Sequence, residues 1–281
     1  MTLSPIIIED IVKTALKEDL GHGFDITSNL LIPAGQSARG VLRARQDGRL
    51  AGLIVALSTF SLTDIDFDMT VMTEDGADLS AGDVIAEIEG PVRSLLTAER
   101  VALNFMSHMS GVATLTARYV EKVKDTGVEI CDTRKTLPGL RLLQKYAVEI
   151  GGGANHRFGL DDAILIKDNH IAAVGSIDEA LNQAHMLAGH TKKIEIEVDT
   201  LAQLEDVLAN GKADIVMLDN FGLKDLKKAV QLCKKQITSE ASGSVNLETV
   251  RTIAETGVDY ISIGALTHSA PALDIALDID V

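Results

Sequence analysis

The chain has 281 residues, a length typical of two domains or of one large barrel. Hydrophobic residues make up 46% and charged residues 24%, as in soluble globular proteins with a sizeable core. Twenty-six basic and 41 acidic residues give a net charge of −15, and aromatic residues amount to only 3%. A polyanion would therefore be repelled and would find few stacking rings, which argues against nucleic-acid binding and binding to anionic membranes.

Cysteine usage and the N-terminus bear on the compartment. Cys131 and Cys233 lie far apart and match no metal or disulfide spacing, which is typical of a reducing environment. Residues 1–20 lack the basic leader and apolar core of a signal peptide, and no run of 18 uncharged apolar residues follows. We expect a cytoplasmic protein without a membrane segment.

The first part of the chain begins with mixed elements. Residues 6–16 have the apolar spacing of a short amphipathic helix. Residues 39–53 alternate between apolar and polar side chains, which predicts a half-buried strand with a turn at Asp47-Gly48.

Two further elements complete this part. Residues 74–90 carry the turn pairs Asp75-Gly76 and Ala81-Gly82, which predict a β-hairpin; no lysine at a tip supports a biotinyl or lipoyl domain. Residues 94–119 predict a long helix, with Gly111 as a candidate interruption.

The second part of the chain repeats one pattern, an apolar run followed by a polar residue and a helical stretch. The runs are residues 128–131, 163–166, 194–198, 215–218, 236–238 and 260–263. The polar positions that end the last four, Glu197, Asp219, Ser242 and Gly264, are separated by 22, 23 and 22 residues, which fits βα units. Six or seven units predict a TIM-type barrel, closed or incompletely closed. The alternative is a doubly wound sheet, but the G-x-G-x-x-G fingerprint is missing.

Polar residues follow these runs, where the chemistry of a βα barrel is located. The run ends are Asp132-Thr133-Arg134-Lys135, Lys167-Asp168-Asn169-His170, Glu197, Asp219-Asn220, Ser242-Gly243-Ser244 and Gly264-Ala265. Residues 132–170 hold six basic and five acidic residues, a charge of +1, whereas the remainder carries 20 basic and 36 acidic residues, a charge of −16. A locally cationic pocket in an acidic protein suits a small polyanionic ligand. An ordinary solvated surface is the competing interpretation.

Glycine-containing loops form a second group of candidates. Gly151–Gly153 allow close approach of the backbone next to His156 and Arg157, where His156 is either a donor to a carboxylate or a structural histidine. We interpret His170 as structural. The loops at Ser242–Ser244 and Ile263–Ala265 follow the last two strands, where barrels often bind phosphate, although tight packing is the preferred explanation for Gly264 alone.

Residues 132–171, DTRKTLPGLRLLQKYAVEIGGGANHRFGLDDAILIKDNHI, strongly resemble the quinolinate phosphoribosyltransferases, the carboxylating nicotinate-nucleotide pyrophosphorylases. Further matching segments follow in the family's order over nearly the whole chain. They are EDLGHGFDITS (18–28), LLTAERVALNFMSHMSG (95–111), EIEVDT (195–200), VMLDNF (216–221), EASG (240–243) and ISIGALTHSAPALDIAL (261–277). The departures are small: Leu137 replaces the commoner Thr, and Ala241 lies where Ser or Val is usual.

The resemblance implies an α/β fold with two domains. Residues 1–110 would form an N-terminal α/β sandwich domain, and residues 111–268 an open seven-stranded α/β barrel of TIM-like type. The tail, residues 269–281, would pack back on the first domain. The resemblance also implies an obligate homodimer, in which each N-terminal domain would cover the partner's barrel mouth.

The resemblance also implies roles for individual residues. The two carboxylates of quinolinate would be held by Arg134, Lys135, His156, Arg157 and Lys167, with Arg100 reaching in from the other subunit. Thr133 would be a further substrate-binding residue. Ribose hydroxyls and Mg²⁺-pyrophosphate would be handled by Glu197 and Asp219, as metal ligands. Phosphate would be bound by Ser242, Gly243, Ser244, Ile263, Gly264 and Ala265, with His268 nearby. The catalytic candidates are Lys135, Lys167, Glu197 and Asp219.

The implied reaction transfers phosphoribosyl from phosphoribosyl pyrophosphate to quinolinate and releases CO₂. It yields nicotinate mononucleotide and pyrophosphate, a step of de novo NAD biosynthesis. Arg and Lys donors suit the two anionic substrates, and the pyridinium formed by the transfer serves as electron sink for the decarboxylation. We expect Lys135 or Lys167 near the departing carboxylate.

Three alternatives stay open at this point. One is phosphoribosyl transfer to another base, as in molybdenum-associated homologues of the same fold. The second is a Schiff-base aldolase that uses Lys167 as nucleophile. The third is a non-catalytic sensor of an anionic metabolite.

Overall fold

The computed structural model describes residues 2–234 and 236–280. Its helices are α1 (Pro5–Leu20), α2 (Ile26–Leu31), α3 (Leu53–Thr63), α4 (Val92–Val123), α5 (Arg141–Ile150), α6 (Asp168–Val174), α7 (Ile177–Leu187), α8 (Leu201–Asn210), α9 (Leu223–Cys233), α10 (Val250–Ala254) and α11 (Ala265–His268). Its strands are β1 (Ser37–Ala44), β2 (Gly48–Arg49), β3 (Asp68–Val71), β4 (Asp78–Leu79), β5 (Val84–Pro91), β6 (Glu129–Cys131), β7 (Ile164–Ile166), β8 (Ile194–Val198), β9 (Ile215–Asp219), β10 (Thr238–Ser242), β11 (Tyr260–Ser262) and β12 (Ile275–Asp280). Within the described residues, no helix combines the length and the apolar character needed to cross a membrane.

The chain divides into two compact units. Unit 1 comprises Met1–Ala117, Leu137–Gly152 and Ser269–Val281, and unit 2 comprises Arg118–Thr136 and Gly153–His268. Helix α5 belongs to unit 1. These units describe packing, and the domain boundary predicted after residue 110 stays a prediction.

Unit 1 is built on an antiparallel sheet with the strand order β12-β1-β5-β3. The tail strand β12 pairs with β1 from Arg39↔Asp280 to Ala44↔Ile275, so the end of the chain forms an edge of this sheet. In α4, residues three or four apart (Leu95, Ala98, Ala102 and Met106) are buried in the same core as the sheet. Burial of this stripe anchors α4 in the unit.

Three local predictions in unit 1 are corrected. The hairpin predicted for residues 74–90 is wrong, because β4 pairs with β2 while β5 pairs with β1 and β3. The strand predicted for residues 39–53 ends at Ala44, and the helix α3 that starts at Leu53 was missed because it is apolar without a clear helical period. Gly111 does not interrupt α4; a Cβ there would lie 2.0 Å from the carbonyl oxygen of Pro271, so its place requires glycine.

Unit 2 contains a parallel sheet with the order β6-β11-β10-β9-β8-β7, as the recurring apolar runs predict. One strand is misplaced in the prediction: β10 covers Thr238–Ser242 rather than residues 236–238. Among the described residues, the expected seventh strand is reduced to a single parallel bridge between Cys131 and Ala154, beside β6.

The sheet of unit 2 curls into an open α/β barrel. Strands β6 and β7 are at opposite ends of the strand order, yet residues that follow both of them line one cavity. Arg157, three residues after the Ala154 bridge, donates from Nη1 to the carbonyl oxygen of Ala163 just before β7 at 3.0 Å. The two ends of the sheet therefore meet through side chains instead of a continuous ladder.

Candidate active site

A cavity of about 380 Å³ lies at the carboxyl ends of the barrel strands in unit 2. It is lined by Thr133, Arg134, Lys135, His156, Arg157, Leu165, Lys167, Glu197, Met217, Asp219, Ser242 and Ser262. Nine of these twelve residues were predicted from the sequence, and each of the six strands has a lining residue within two residues of its carboxyl end. The convergence follows from parallel strands, whose carboxyl ends share one edge.

Two arginines of the cavity have donors without protein partners. The Nε atoms of Arg134 and Arg157 are buried and make no hydrogen bond to the described residues. Burial lowers the pKa of Arg157 from its usual value, and the neighbouring positive charge of Arg134 lowers it further. Buried guanidinium groups normally find acceptors, so this pair calls for an anion in the cavity.

Lys167 and Glu197 face each other across the same cavity. Lys167 directly precedes α6, and Glu197 lies near the end of β8. The Nζ atom of Lys167 forms an ion pair and a hydrogen bond with Oε2 of Glu197. The backbone N–H of Lys167 donates to Nδ1 of His170 at 2.9 Å, which fixes the entry to α6. His170 therefore has the structural role that was expected.

Asp219 is held in place by the loops that follow β9 and β10. Nδ2 of Asn220 donates to Oδ2 of Asp219 at 2.7 Å, and the backbone N–H of Asn220 donates to the carbonyl oxygen of Ser242 at 2.9 Å. Asn220 and Ser244 have positive φ angles of 53° and 51°, conformations that cost free energy for residues other than glycine. Gly243 has φ +101°, and a Cβ there would lie 2.1 Å from Oδ1 of Asn220. The loop therefore depends on glycine at this position.

The loop after β11 packs closely on Lys135. A Cβ at Gly264 would lie 3.0 Å from Cδ of Lys135 and 3.2 Å from Nε2 of His268. Oγ1 of Thr267 donates to the carbonyl oxygen of Lys135 at 2.8 Å. These contacts bring Lys135, Gly264 and His268 together and give Gly264 a packing role.

The remaining predicted residues do not line this cavity. Gly243 and Ser244 lie in the loop after β10, Ile263 and Gly264 in the loop after β11, and Ala265 and His268 in α11. Arg100 lies on α4 in unit 1 with its side chain 65% exposed. Leu165, Met217 and Ser262 line the cavity and were missed, although each lies on a barrel strand two residues before a predicted position.

A buried acidic cluster lies one layer deeper in the barrel. Nε2 of His156 is 3.0 Å from Oε2 of Glu195 and 3.7 Å from Oε2 of Glu240, and both carboxylate side chains are about 95% buried. Burial raises the pKa of Glu240 above its usual range, and the charge of Glu195 raises it further. Glu195 precedes Glu197 by two residues, and Glu240 precedes Ser242 by two. An acid within a short buried strand was the signal that could have identified them.

Carboxylates suitable for a divalent cation occur at two levels of the barrel. Glu197 and Asp219 line the cavity on neighbouring strands, and one or two carboxylates together with substrate phosphates are the ligands that Mg²⁺ usually takes. The donor set of these two residues therefore fits the expected ion. The deeper trio of His156, Glu195 and Glu240 also has its ligand atoms within 4.8 Å of one another.

The open barrel, together with its cationic cavity and two acids, defines a class of α/β-barrel enzyme that acts on small anionic substrates. Family models agree on the finer assignment: the quinolinate phosphoribosyl transferase N-terminal domain matches residues 25–110, and the C-terminal domain of that name matches residues 112–278. The chain belongs to the quinolinate phosphoribosyltransferase family.

Individual relatives are similar over almost their whole length. The "Probable nicotinate-nucleotide pyrophosphorylase [carboxylating]" of Bacillus subtilis is 46% identical over 93% of this chain and 90% of the relative. The corresponding protein of Mycobacterium leprae is 46% identical over 96% of both chains. The crystal structure of NadC from Streptococcus pyogenes has a TM-score of 0.95 at 44% identity, and covers 100% of this chain and 99% of that one.

Proposed function

We propose that this chain transfers the phosphoribosyl group of phosphoribosyl pyrophosphate to quinolinate and releases CO₂ and pyrophosphate, with nicotinate mononucleotide as the product. The observation that carries the proposal is the pair of buried Nε donors of Arg134 and Arg157 in a cavity that also contains Lys135 and Lys167. Quinolinate has two adjacent carboxylates, and arginine forks bind carboxylates bidentately.

The proposed division of the cavity follows from its charges. The cationic residues Arg134, Lys135, Arg157 and Lys167 bind the carboxylates, and Glu197 with Asp219 binds the ribose hydroxyls and the metal–pyrophosphate group. The bound Mg²⁺ would supply charge neutralisation for the leaving pyrophosphate. The loops of Ser242–Ser244 and Ile263–Ala265, with His268, hold the phosphate. The close packing of Gly243 against Asn220, which itself holds Asp219, supports a fixed conformation for the loop after β10.

The chemistry uses the substrate as its own electron sink. Cleavage of the bond from the anomeric carbon to pyrophosphate develops positive charge on the sugar, which a carboxylate of Glu197 or Asp219 stabilises. The pyridine nitrogen forms the new bond to that carbon and becomes a pyridinium. The bond to the 2-carboxylate then breaks, its electron pair stays on the ring carbon beside the positive nitrogen, and a proton replaces CO₂. Lys135 or Lys167 lies on the side of the departing carboxylate.

The proposal includes a homodimer with a shared site. On unit 1, large apolar side chains of the α2 region are exposed, among them Phe24 (62%), Leu30 (78%) and Leu31 (73%). Exposed apolar patches of this kind mark protein interfaces. Arg100 is also exposed on unit 1, and we assign it to the partner's cavity. A cytoplasmic location is part of the proposal, and the buried free thiol of Cys233 supports it.

The test is an assay with phosphoribosyl pyrophosphate, Mg²⁺ and either quinolinate or nicotinate. Quinolinate is expected to turn over, and nicotinate to react poorly, because one set of cations would then be left without its carboxylate. Nicotinate as the better substrate, or no turnover with tight binding of quinolinate, would overturn the proposal. Borohydride trapping of Lys167 with a carbonyl substrate would favour the aldolase instead.

A further inference from the structure

The short segment that takes the place of a seventh strand has its backbone amides bound by side chains. Beyond the single bridge at Ala154, no ladder covers His156 and Arg157. The N–H of His156 donates to Oδ1 of Asp132 at 3.0 Å, and the N–H of Arg157 donates to Nδ1 of His156 at 2.8 Å. Both hydrogen bonds are partly buried, and these two contacts supply the acceptors that a ladder would otherwise provide.

This arrangement fixes the protonation of the imidazole ring. A nitrogen that accepts an amide hydrogen carries no proton of its own, so the proton of neutral His156 resides on Nε2. Nε2 lies 3.0 Å from Oε2 of Glu195, with Glu240 at 3.7 Å. Both ring nitrogens of His156 therefore contact groups of the protein itself, although the ring lines the cavity.

We propose that Glu195 and Glu240 are positioning residues: they hold His156 as the Nε2–H tautomer, and its Nδ1 in turn fixes the backbone of Arg157 for carboxylate binding. The inference rests on the proposed function and refines it, because His156 then acts through Arg157 and does not itself donate to quinolinate. Glu195 is the nearer partner of Nε2, and a carboxylate oxygen of Glu240 lies 3.7 Å from the same nitrogen.

The geometry makes this assignment specific to the site. Glu195 and Glu240 lie on β8 and β10, one inward-facing position below Glu197 and Ser242 of the cavity. A change in their contact with His156 is therefore transmitted to Arg157 through one ring and one amide. Ordering of a carboxylate-binding fork in this way is typical of the groups that support an active site.

The direct test is nitrogen NMR of the dimer with ¹⁵N-labelled histidine, in which the His156→Ala variant assigns the His156 signals. We expect a protonated Nε2 and an unprotonated Nδ1 at neutral pH, both in the free protein and with quinolinate bound. A protonated Nδ1 in the quinolinate complex would overturn the inference. If quinolinate neither bound nor turned over, the proposed function would fail, whereas the tautomer of the free protein would still decide the inference.

Kinetics of variants provide a second readout. Glu195→Ala is expected to raise the KM for quinolinate about tenfold, the cost of one hydrogen bond, with the KM for phosphoribosyl pyrophosphate little changed. Glu195→Gln keeps an acceptor oxygen and is expected to restore most of the affinity. Glu205→Ala, at an exposed acid of α8, is the matched control. Equal losses in Glu195→Ala and Glu195→Gln, or parallel changes in both KM values, would contradict the positioning role.

Discussion

Nζ of Lys167 and Oε2 of Glu197 form an ion pair between the first residue after β7 and the fourth residue of the adjacent strand β8. Both residues line the cavity, and their roles in the proposed reaction are opposite: the lysine binds a carboxylate and the glutamate binds the sugar. Before substrates bind, each charge is thus neutralised by the other. In the proposed reaction, quinolinate displaces Glu197 from Lys167, and Glu197 is then available to bind the sugar.

This exchange predicts different effects for the two partners. Lys167→Ala is expected to raise the KM for quinolinate about tenfold or more, because a carboxylate loses its counter-charge. Glu197→Gln is expected to lower kcat and weaken phosphoribosyl pyrophosphate while quinolinate binds at least as tightly, since the lysine no longer has a competing anion. Steady-state kinetics and calorimetry measure these values. Weaker quinolinate binding in Glu197→Gln would contradict the exchange.

Removal of Arg157 tests the cationic side of the cavity. Arg157→Ala is expected to reduce kcat/KM for quinolinate about 100-fold, because a charge-assisted pair of hydrogen bonds contributes about 2–3 kcal/mol. The matched control is Arg118→Ala, an exposed arginine near the end of α4. Unchanged kinetics in Arg157→Ala, with thermal stability close to that of the parent, would show that Arg157 does not contact the substrate.

Much of this site follows from the sequence because parallel strands impose a simple rule. The spacing of Glu197, Asp219 and Ser242 indicates successive βα units, and the structure places all three on one cavity. Strand β10 (Thr238–Ser242) departs from the pattern of apolar strands, because its buried residues include the polar Ser239 and Glu240. Its position was therefore predicted a few residues too early in the chain. Pairing in unit 1 depends on contacts between distant segments, such as β12 with β1, which local patterns do not encode.

Gly243 provides a test of the phosphate loop. Gly243→Ala has to accommodate φ +101° and a Cβ 2.1 Å from Oδ1 of Asn220, so it is expected to displace Asn220 and the Asp219 carboxylate that Asn220 holds. We expect a higher KM for phosphoribosyl pyrophosphate and a loss of stability of about 2 kcal/mol. Gly211→Ala is the control, with φ +72° and no atom closer than 4.0 Å to its Cβ. Equal kinetics in the two variants would contradict a role for the loop.

The pH dependence of stability has a predictable contribution from Asp64. Oγ of Ser94 donates to its carboxylate at 2.8 Å and the N–H of Asp66 does so at 3.1 Å, which holds the pKa of Asp64 below its usual value of 3.8. The stabilisation is therefore present above pH 3.8 and is lost as the pH falls through the lower, folded-state pKa. Urea unfolding of the parent and Asp64→Asn is expected to differ at pH 7 and to converge once the pH lies below the folded-state pKa of Asp64. A difference that grows on acidification would contradict this sign; Asp68→Asn, at an exposed position of β3, is the control.

Mixed dimers test whether the site is shared between subunits. Arg100→Ala and Arg157→Ala are each expected to be nearly inactive as homodimers. Heterodimers of the two variants are expected to recover up to half of the parental activity per dimer, because one of their two sites then has both arginines. Recovery is measured after co-expression with two affinity tags. Heterodimers no more active than either parent variant would place Arg100 outside the partner's site.

The most direct measurement uses quinolinate labelled with ¹⁴C in its 2-carboxylate, together with phosphoribosyl pyrophosphate and Mg²⁺. Labelled CO₂ and nicotinate mononucleotide are counted in the same reaction. Equal amounts of the two products, and neither product without phosphoribosyl pyrophosphate, are the predicted result. Release of CO₂ without nucleotide, or a nucleotide that keeps the label, would contradict decarboxylating phosphoribosyl transfer by this protein.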